Sequence, residues 1–397
     1  MDLKDKLAIK RLGVLKRYRY YDMHHYAQDF GISTPPNLMM FNSLLGWCAK
    51  AVDTLSDRIQ FDGFANDRYM FTELFRRNNP DILFDAGIHG AVIASCSFCY
   101  IYPGEDGFPR FEIIPGSDAT GELDLTTMLL TEGYAVLERD ERKAPTITAR
   151  FYSDATVIRY EDTGDEEIYE HKTGHPLLVP MIYRPDGARP FGHSRISRAC
   201  MSIVDSAARS IKRAEISAEF YSYPQKYIVG TDPELDIEKW AASMSAMLNL
   251  SKDEDGDKPS VGQFQQQSMS PYNDQLRMFA SLFAGEVGLT THDLGFVGDV
   301  PQSEQAIRAS HENLRLMAVK AQRDFSVAIK NIGYLGACLR DDFPYERERF
   351  TETQVLWRPL FAPDATQLSG LGDALLKLEQ AVPGYISEEK IRELIGI

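Results

Sequence analysis

The stretch GLTTHDLGFVGDVPQSEQAIRASHENL, residues 288–314, holds the residue types best placed to do chemistry in this chain. Gly288, Gly295 and Gly298 fall within eleven residues and lead into a helical pattern. A glycine-rich loop that feeds a helix N-terminus is a common phosphate cradle. Two features argue against that use. A P-loop closes on Gly-Lys-Ser or Gly-Lys-Thr, whereas Gly298 is followed by Asp299, whose charge repels a phosphate. A dinucleotide fingerprint follows a strand, whereas the helical run YNDQLRMFASLFAGEVG precedes this loop. Backbone freedom is the other reason to place glycines together.

The remaining candidates fail in similar ways. SKDEDGDKP mimics the start of a calcium loop, but the position that needs glycine is Lys258 and the closing acid position is Phe264. Asp253, Glu254, Asp255 and Asp257 therefore read as a solvated acidic loop. His24, His25, His89, His171 and His175 show no H-E-x-x-H spacing, and His292 and His311 stand apart. There is no G-x-S-x-G nucleophile elbow. Cys48, Cys96, Cys99, Cys200 and Cys338 form an odd, scattered set, as free thiols in a reducing compartment do. Cys96 and Cys99 make a C-x-x-C inside the strand-like AVIASCSFCYIY, where residues three apart point to opposite faces. No catalytic, cofactor-binding or metal-binding residue is assigned, and the chain does not read as an enzyme.

The elements that position these residues change character along the chain. Residues 1–192 mix helix and strand. PPNLMMFNSLLGWCAKAVDTLSDRIQFDGF reads as a helix with Leu44, Leu45, Cys48, Val52 and Leu55 inward, closed by Asp62-Gly63. A helix over MFTELF, a break at Pro80, a second helix and a hairpin turning at PGEDG follow. LTTMLLTEGYAVLERDE fits a helix or an edge strand, and the sequence from Pro145 to Gly174 alternates as strands do. Ser194 to Tyr221 reads as one long helix with Ile196, Cys200, Ile203, Ala207 and Ile211 at helical spacing. It is crowded with alanine and serine. Serine is not a strong helix former, so its abundance predicts close neighbours on more than one side.

An insert follows: the strand QKYIVG, a short helix around Trp240, the acidic loop and the strand SVGQFQQQS. Ser270-Pro271 opens a helix that stops at Gly288, and Ser303 caps another that runs to about Ile332. The end carries a strand, TQVLWRPL, and two helices, DATQLSGLGDALLKLEQ and SEEKIRELIG, the second capped by Ser387.

At 397 residues, 44% hydrophobic and 25% charged, the chain is long enough for two or three sub-domains and has the balance of a folded protein. No apolar run is long enough to cross a bilayer, which predicts work in a cytoplasm or in something assembled there. The net charge is −15. Proteins that grip nucleic acid through its phosphates are basic, so any contact with DNA is expected to be weak, local or repulsive.

Taken in order, these segments resemble the portal proteins of tailed bacteriophages, of the long-tailed phage and prophage type. AVDTLSDRIQFDGF resembles that family's early helix ending in Gly-Phe, and DAGIHGAVIASCSFCYIYPGEDGFPRFEIIPGSDA its small-residue helix and hairpin. HPLLVPMIYRP and FGHSRISRACMSIVDSAARS resemble its proline-rich strand, Gly-x-Ser turn and long helix containing an aspartate, here Asp205. PSVGQFQQQSMSPYNDQLRMFASLFAGEVGL followed by VPQSEQAIRASHENLRLMAVKAQRDF is the most specific match. VLWRPLFAPDATQLSGLGDALLKLEQA is similar to the family's tryptophan-containing strand and terminal helices. The stretch after the long helix is compact and the chain stops at Ile397, so a short crown is expected.

The resemblance implies an α+β portal fold with an N-terminal wing (1–192), first stem helix (193–222), clip (223–270), second stem helix (271–289), tunnel loop (290–302), long wing helix and return (303–350), and wing strand with short crown (351–397). It implies a homo-oligomeric ring, dodecameric in the virion, at one capsid vertex. Double-stranded DNA is packaged through the ring by terminase, retained and ejected. Its partners are the terminase large subunit, a head-completion adaptor, the major capsid protein and scaffold; no cofactor and no membrane are implied. Assembly takes place in the bacterial host cytoplasm. Thr291, His292, Asp293, Leu294, Gly295, Phe296, Val297, Gly298 and Asp299 are the implied channel loop. Asp253, Glu254, Asp255 and Asp257 are the clip's partner-binding loop, and Asp205, Lys212, Arg213 and Ala214 lie in the stem. Lys212 and Arg213 read either as transient contacts to the DNA backbone or as an ordinary solvated helix face. A nucleotide-dependent enzyme using residues 288–302 and a minor capsid protein without a channel are the alternatives.

Overall fold

The computed structural model describes residues 2–30, 34, 36–222, 226–229, 260–263, 268–296, 309–360 and 365–382. Its centre is the strand β2 (Cys96–Pro103), whose run CSFCYIY leaves neither face suited to water. β2 is the middle strand of an antiparallel sheet, flanked by β3 (Pro109–Ile114) and β9 (Leu178–Ile182). The register puts Ser97, Cys99 and Ile101 on one face together with Met181, Ile113 and Phe111. Two helices cover that face. α4 (Pro80–Ala94) comes so close that a Cβ on Gly87 would lie 2.7 Å from the Met181 sulfur. α7 (Glu312–Asp341) meets it at Gly336, beside the Phe111 ring. The opposite face carries Cys96, Phe98 and Tyr100. Lys10 of α1 (Leu3–Tyr21) sits 4.7 Å from the Phe98 ring, and Phe151 packs edge-on to Tyr100 at 5.2 Å. The two C-x-x-C thiols thus lie on opposite faces of one strand, both fully buried. All five cysteines are buried free thiols.

Phe151 belongs to a second sheet, an antiparallel meander of β4 (Ala119–Leu123), β5 (Leu130–Arg139), β6 (Pro145–Phe151), β7 (Ala155–Tyr160) and β8 (Glu166–Glu170). The segment that fits helix or edge strand is β5, an interior strand. Tyr134 and Val136 on one of its faces form a small core with Leu3 and Leu7 of α1. The other face, at Gly133, approaches Leu178 of β9.

The expected helix ending at Asp62-Gly63 is shorter. α2 spans Trp47–Ser56, Leu44 before it is exposed, and residues beyond it form β1 (Phe61–Ala65), paired with β12 (Gln354–Trp357). Gly63, at φ +136°, sits where the β1–β12 register shifts, so its role is a bulge rather than a helix stop. The long helix also differs from expectation: α7 begins at Glu312 after a turn at His311 and runs nine residues past Ile332. Its extension is held by close approach to α3 (Phe71–Arg76). A Cβ on Gly333 would lie 2.6 Å from the Phe71 ring, and one on Gly336 would lie 2.7 Å from Leu74. β10 (Lys226–Val229) pairs with β11 (Ser260–Gln263) as an antiparallel ribbon, and α8 (Ala365–Ala381) follows β12. Ser303, Trp240 and Ser387, with the caps and helix expected there, lie outside the described residues.

Gly13 of α1 offers the opposite case, since a Cβ there meets nothing within 4 Å. Gly13→Ala is expected to stabilise the protein by up to about 1 kcal/mol through helix propensity, and Gly333→Ala to destabilise it by about 1–3 kcal/mol through overpacking. Urea titrations followed by circular dichroism read both; a Gly333→Ala variant as stable as the parent contradicts the packing account.

Candidate functional site

Two further helices form an antiparallel pair, and their starts and the stop of the second have local causes. α5 (Arg198–Ser222) starts later than Ser194 because Ser197 caps it, its hydroxyl accepting from the Cys200 N–H at 3.1 Å. Ser194 instead donates to the Ile93 carbonyl at 2.6 Å. α6 (Ser270–Val287) includes Ser270, with Met269 before it, and stops as expected at Gly288, whose φ of +66° is the left-handed cap that glycine adopts readily. The direction follows from the side chains: Ser197 donates to Glu286, Ser210 to Gln275, and Ser217 shares a hydrogen bond with Tyr272, at 2.7, 2.8 and 2.9 Å. Ala207 is fully buried and Ala208 nearly so. The alanine- and serine-rich composition therefore already serves packing inside one chain.

A second layer lies across α5. The chain between α1 and α2 runs back over it as an arm, touching the stripe Asp205, Arg209, Lys212. Asp205 accepts from the Tyr20 hydroxyl at 3.0 Å and lies 3.2 Å from His25 Nε2. Burial, with the Asp205 carboxylate beside it, raises the Tyr20 hydroxyl pKa well above the usual tyrosine value. The Arg209 guanidinium sits 4.7 Å from the Phe30 ring, and Arg213 is 5.9 Å from it. Ser43 donates to Glu215 at 2.7 Å. Lys212 corrects both readings made from the sequence. It is 5% exposed, its Nζ is 2.8 Å from Asp29 and donates to the Met39 carbonyl at 3.1 Å, so in this chain it meets neither solvent nor a polymer. Ala214 is partly buried beside it.

The loop after α6 is tightly folded where it is described. The Thr290 N–H and hydroxyl both donate to Asp293 Oδ2, at 2.9 and 2.8 Å, and the Asp293 N–H donates back to the Thr290 hydroxyl at 3.2 Å. Phe296 N–H reaches the Thr291 carbonyl at 3.0 Å, and Gly295 takes φ +92° to allow it. Leu294 is 9% exposed, and Phe296 packs on Trp47 with ring centroids 6.5 Å apart. These two apolar side chains anchor the loop to the body, while Thr291 is partly buried and His292 and Gly295 are exposed. Asp293 Oδ2 is also 3.8 Å from His311 Nδ1, so the two sides of the stretch 297–308 meet at this carboxylate. Val297, Gly298 and Asp299, like Asp253, Glu254, Asp255 and Asp257, lie outside the described residues.

Sequence reasoning missed the residue that joins these parts. Arg195 is 5% exposed; its Nε donates to the Ala51 carbonyl at 2.5 Å and Nη2 to the Val287 carbonyl at 2.8 Å, while Nη1 contacts the Met317 sulfur at 3.5 Å. Its N–H donates to the Val92 carbonyl at 3.0 Å. One side chain thus ties α2, α6 and α7 together immediately before α5, and its main chain adds α4. Val287 is the last residue of α6, where a cation is favoured by the helix dipole. Burial lowers the Arg195 pKa, but a guanidinium stays charged in proteins. The only local signal was an arginine directly after a Gly-x-Ser turn.

No family model matches this sequence. The chain is 23% identical to the portal protein of Mycobacterium phage L5 over 403 residues, covering 95% of this chain and 81% of that protein. It is likewise 23% identical to the portal protein of Mycobacterium phage D29 over 407 residues, with the same coverage. Its fold matches a chain from the neck of a native GTA particle, determined with C12 symmetry, at a TM-score of 0.50 and 15% identity, over 97% of this chain and 99% of that one. The α+β portal fold read from the sequence is the fold observed. The chain is similar to phage portal proteins along nearly its whole length.

Arg195→Lys is expected to destabilise the protein by about 1–3 kcal/mol, because an ammonium cannot reach the Ala51 and Val287 carbonyls together and a buried acceptor at the end of α6 is left unmet. Thermal melts check this, and an unchanged midpoint would remove Arg195 from its joining role.

Proposed function

We propose that this chain is one subunit of a portal ring at a capsid vertex, through which viral DNA is packaged, retained and ejected. The observation that carries the reading is the likeness to two phage portal proteins over 95% of the chain. The fold shared with a neck chain from a C12-symmetric particle supports it and favours twelve subunits. In this reading residues 1–192 form the wing, α5 and α6 the stem, the segment containing β10 and β11 the clip, and residues from 303 onward the long wing helix, its return and the short crown. The role is structural, not enzymatic. The ring resides in the virion after assembly in the host cytoplasm, and it meets the terminase large subunit, a head-completion adaptor, the major capsid protein and scaffold.

The electrostatics agree with a passage through which DNA moves. A net charge of −15 gives little reason for phosphates to be held. Lys212 is paired within its own subunit, which removes one potential sticking point. In this reading residues 290–302 are the tunnel loop, and Leu294 and Phe296 anchor its first part to the body.

Negative-stain images of the purified protein test the assignment directly. Closed rings with a central hole are expected; a monomer that binds ATP points to the nucleotide-dependent enzyme, and open assemblies to a minor capsid protein without a channel.

Variants that still form rings test the finer assignments. Replacing Gly295 and Gly298 with bulky residues is expected to lower the yield of filled heads, and reversing charge at Asp253, Glu254, Asp255 and Asp257 to weaken binding of terminase or adaptor. Normal filled-head yield removes the loop from the passage, and unchanged binding of both partners removes the acidic loop from the clip contact.

A further inference from the structure

We infer that neighbours in the ring meet through opposite charges: the exposed stripe of α7, with Leu316, Lys320 and Arg323 beside Arg184, enters the acidic groove between β1 and α4 of the next subunit. This rests on the ring reading and specifies how neighbours meet. On a chain of net charge −15 the first patch is an exception. Arg184, Lys320 and Arg323 are exposed and gather about one carboxylate, Asp324, which accepts from the Arg184 N–H at 3.2 Å. Burial raises the Asp324 pKa although the three cations oppose the shift. None of these cations makes an ion pair among the described residues. Leu316, one turn before Lys320 on the same stripe, is 53% exposed. It offers nothing to a phosphate, which favours a protein surface over DNA as the partner.

The groove has the matching character. Its volume is about 500 Å³, Phe61 and Phe84 line it with ring centroids 5.0 Å apart, and Ile82 at its edge is 74% exposed. Asp57, Asp81 and Asp85 line it too, and none of them makes an ion pair among the described residues. Burial, together with the neighbouring Asp53 and Asp85, raises the Asp57 pKa, so a cation brought to this cluster is favoured. The groove's own Arg358 is turned to Asp62 at 3.4 Å.

The two patches lie on opposite sides of α7. Asp324 marks the basic one. Ser326 accepts from the Trp357 indole at 2.9 Å and so faces β12, whose partner β1 carries Phe61 into the groove. Two residues apart on a helix is about 160° around its axis. A closed ring with head-to-tail contacts needs two different patches on each subunit. Here an apolar stripe flanked by cations matches an apolar groove flanked by carboxylates, and a second copy supplies what each lacks. Approaches that set acidic surfaces against each other are repulsive, so this contact also fixes the register.

The test is charge exchange in the full-length chain, read as the concentration at which rings form in sedimentation velocity. Lys320→Glu with Arg323→Glu is expected to raise that concentration about tenfold or more, because like charges then face each other. Asp57→Lys with Asp85→Lys is expected to do the same, and all four substitutions together to bring assembly back near the parent concentration. All four positions are exposed, so thermal melts are expected to match the parent. In parent rings, carbodiimide coupling followed by mass spectrometry is expected to join Lys320 of one subunit to Asp81 or Asp85 of another. Either pair of reversals assembling as the parent does, a folded fourfold variant that fails to recover rings, or parent rings without that cross-link overturns the inference and leaves the ring reading intact. So does binding of double-stranded DNA that the Lys320→Glu, Arg323→Glu variant loses while its rings form normally, which assigns the stripe to DNA. The absence of closed rings from the parent protein overturns both.

Discussion

A buried guanidinium holds the two halves of this molecule together. Arg195 stands between the sheet region and the helical pair, and its donors go to the Ala51 carbonyl within α2 and to the Val287 carbonyl at the end of α6. An isolated buried charge is costly, so the arrangement is stable only while α2, α6 and α7 all stay in place around it. That makes the junction cooperative: displacing the helical pair from the body strands a cation as well as opening a packed core.

The same logic explains why α5 has few bulky residues. It is enclosed by α6 on one side and the arm on the other, and its serines satisfy themselves against α6 at Gln275 and Tyr272. Lys212 fastens the arm through a pair sheltered from salt screening. Small residues here bring three layers of a single subunit together before any neighbour arrives. The long helix α7 uses a related device at Gly333 and Gly336, where the lack of a side chain admits α3.

What was legible in the sequence was local. The stop at Gly288, the hairpin at PGEDG, the β10 and β11 strands and the opacity of the C-x-x-C follow from turn chemistry and side-chain period, and the order of elements carried the resemblance to portal proteins. What was not legible depends on partners far along the chain. Arg195 reaches carbonyls 144 and 92 positions away, and Lys212 one that is 173 away. No periodicity separates such a cation from a solvated one. The extent of α7 was misjudged because the apolar stripe gives way to glycine contacts, and α2 because Leu44 and Leu45 continue its pattern into the arm. Leu294 and Phe296 sat in a loop that looked free, yet apolar side chains in a loop need burial as much as those in a helix.

The base of that loop has a further consequence. Gly288 fits beneath Met317, and Asp293 stands beside both Thr290 and His311, so the end of α6 and the start of α7 are drawn together at one point. A single aspartate thus couples the end of one long helix to the start of another, so a shift of either is felt by the other through Asp293.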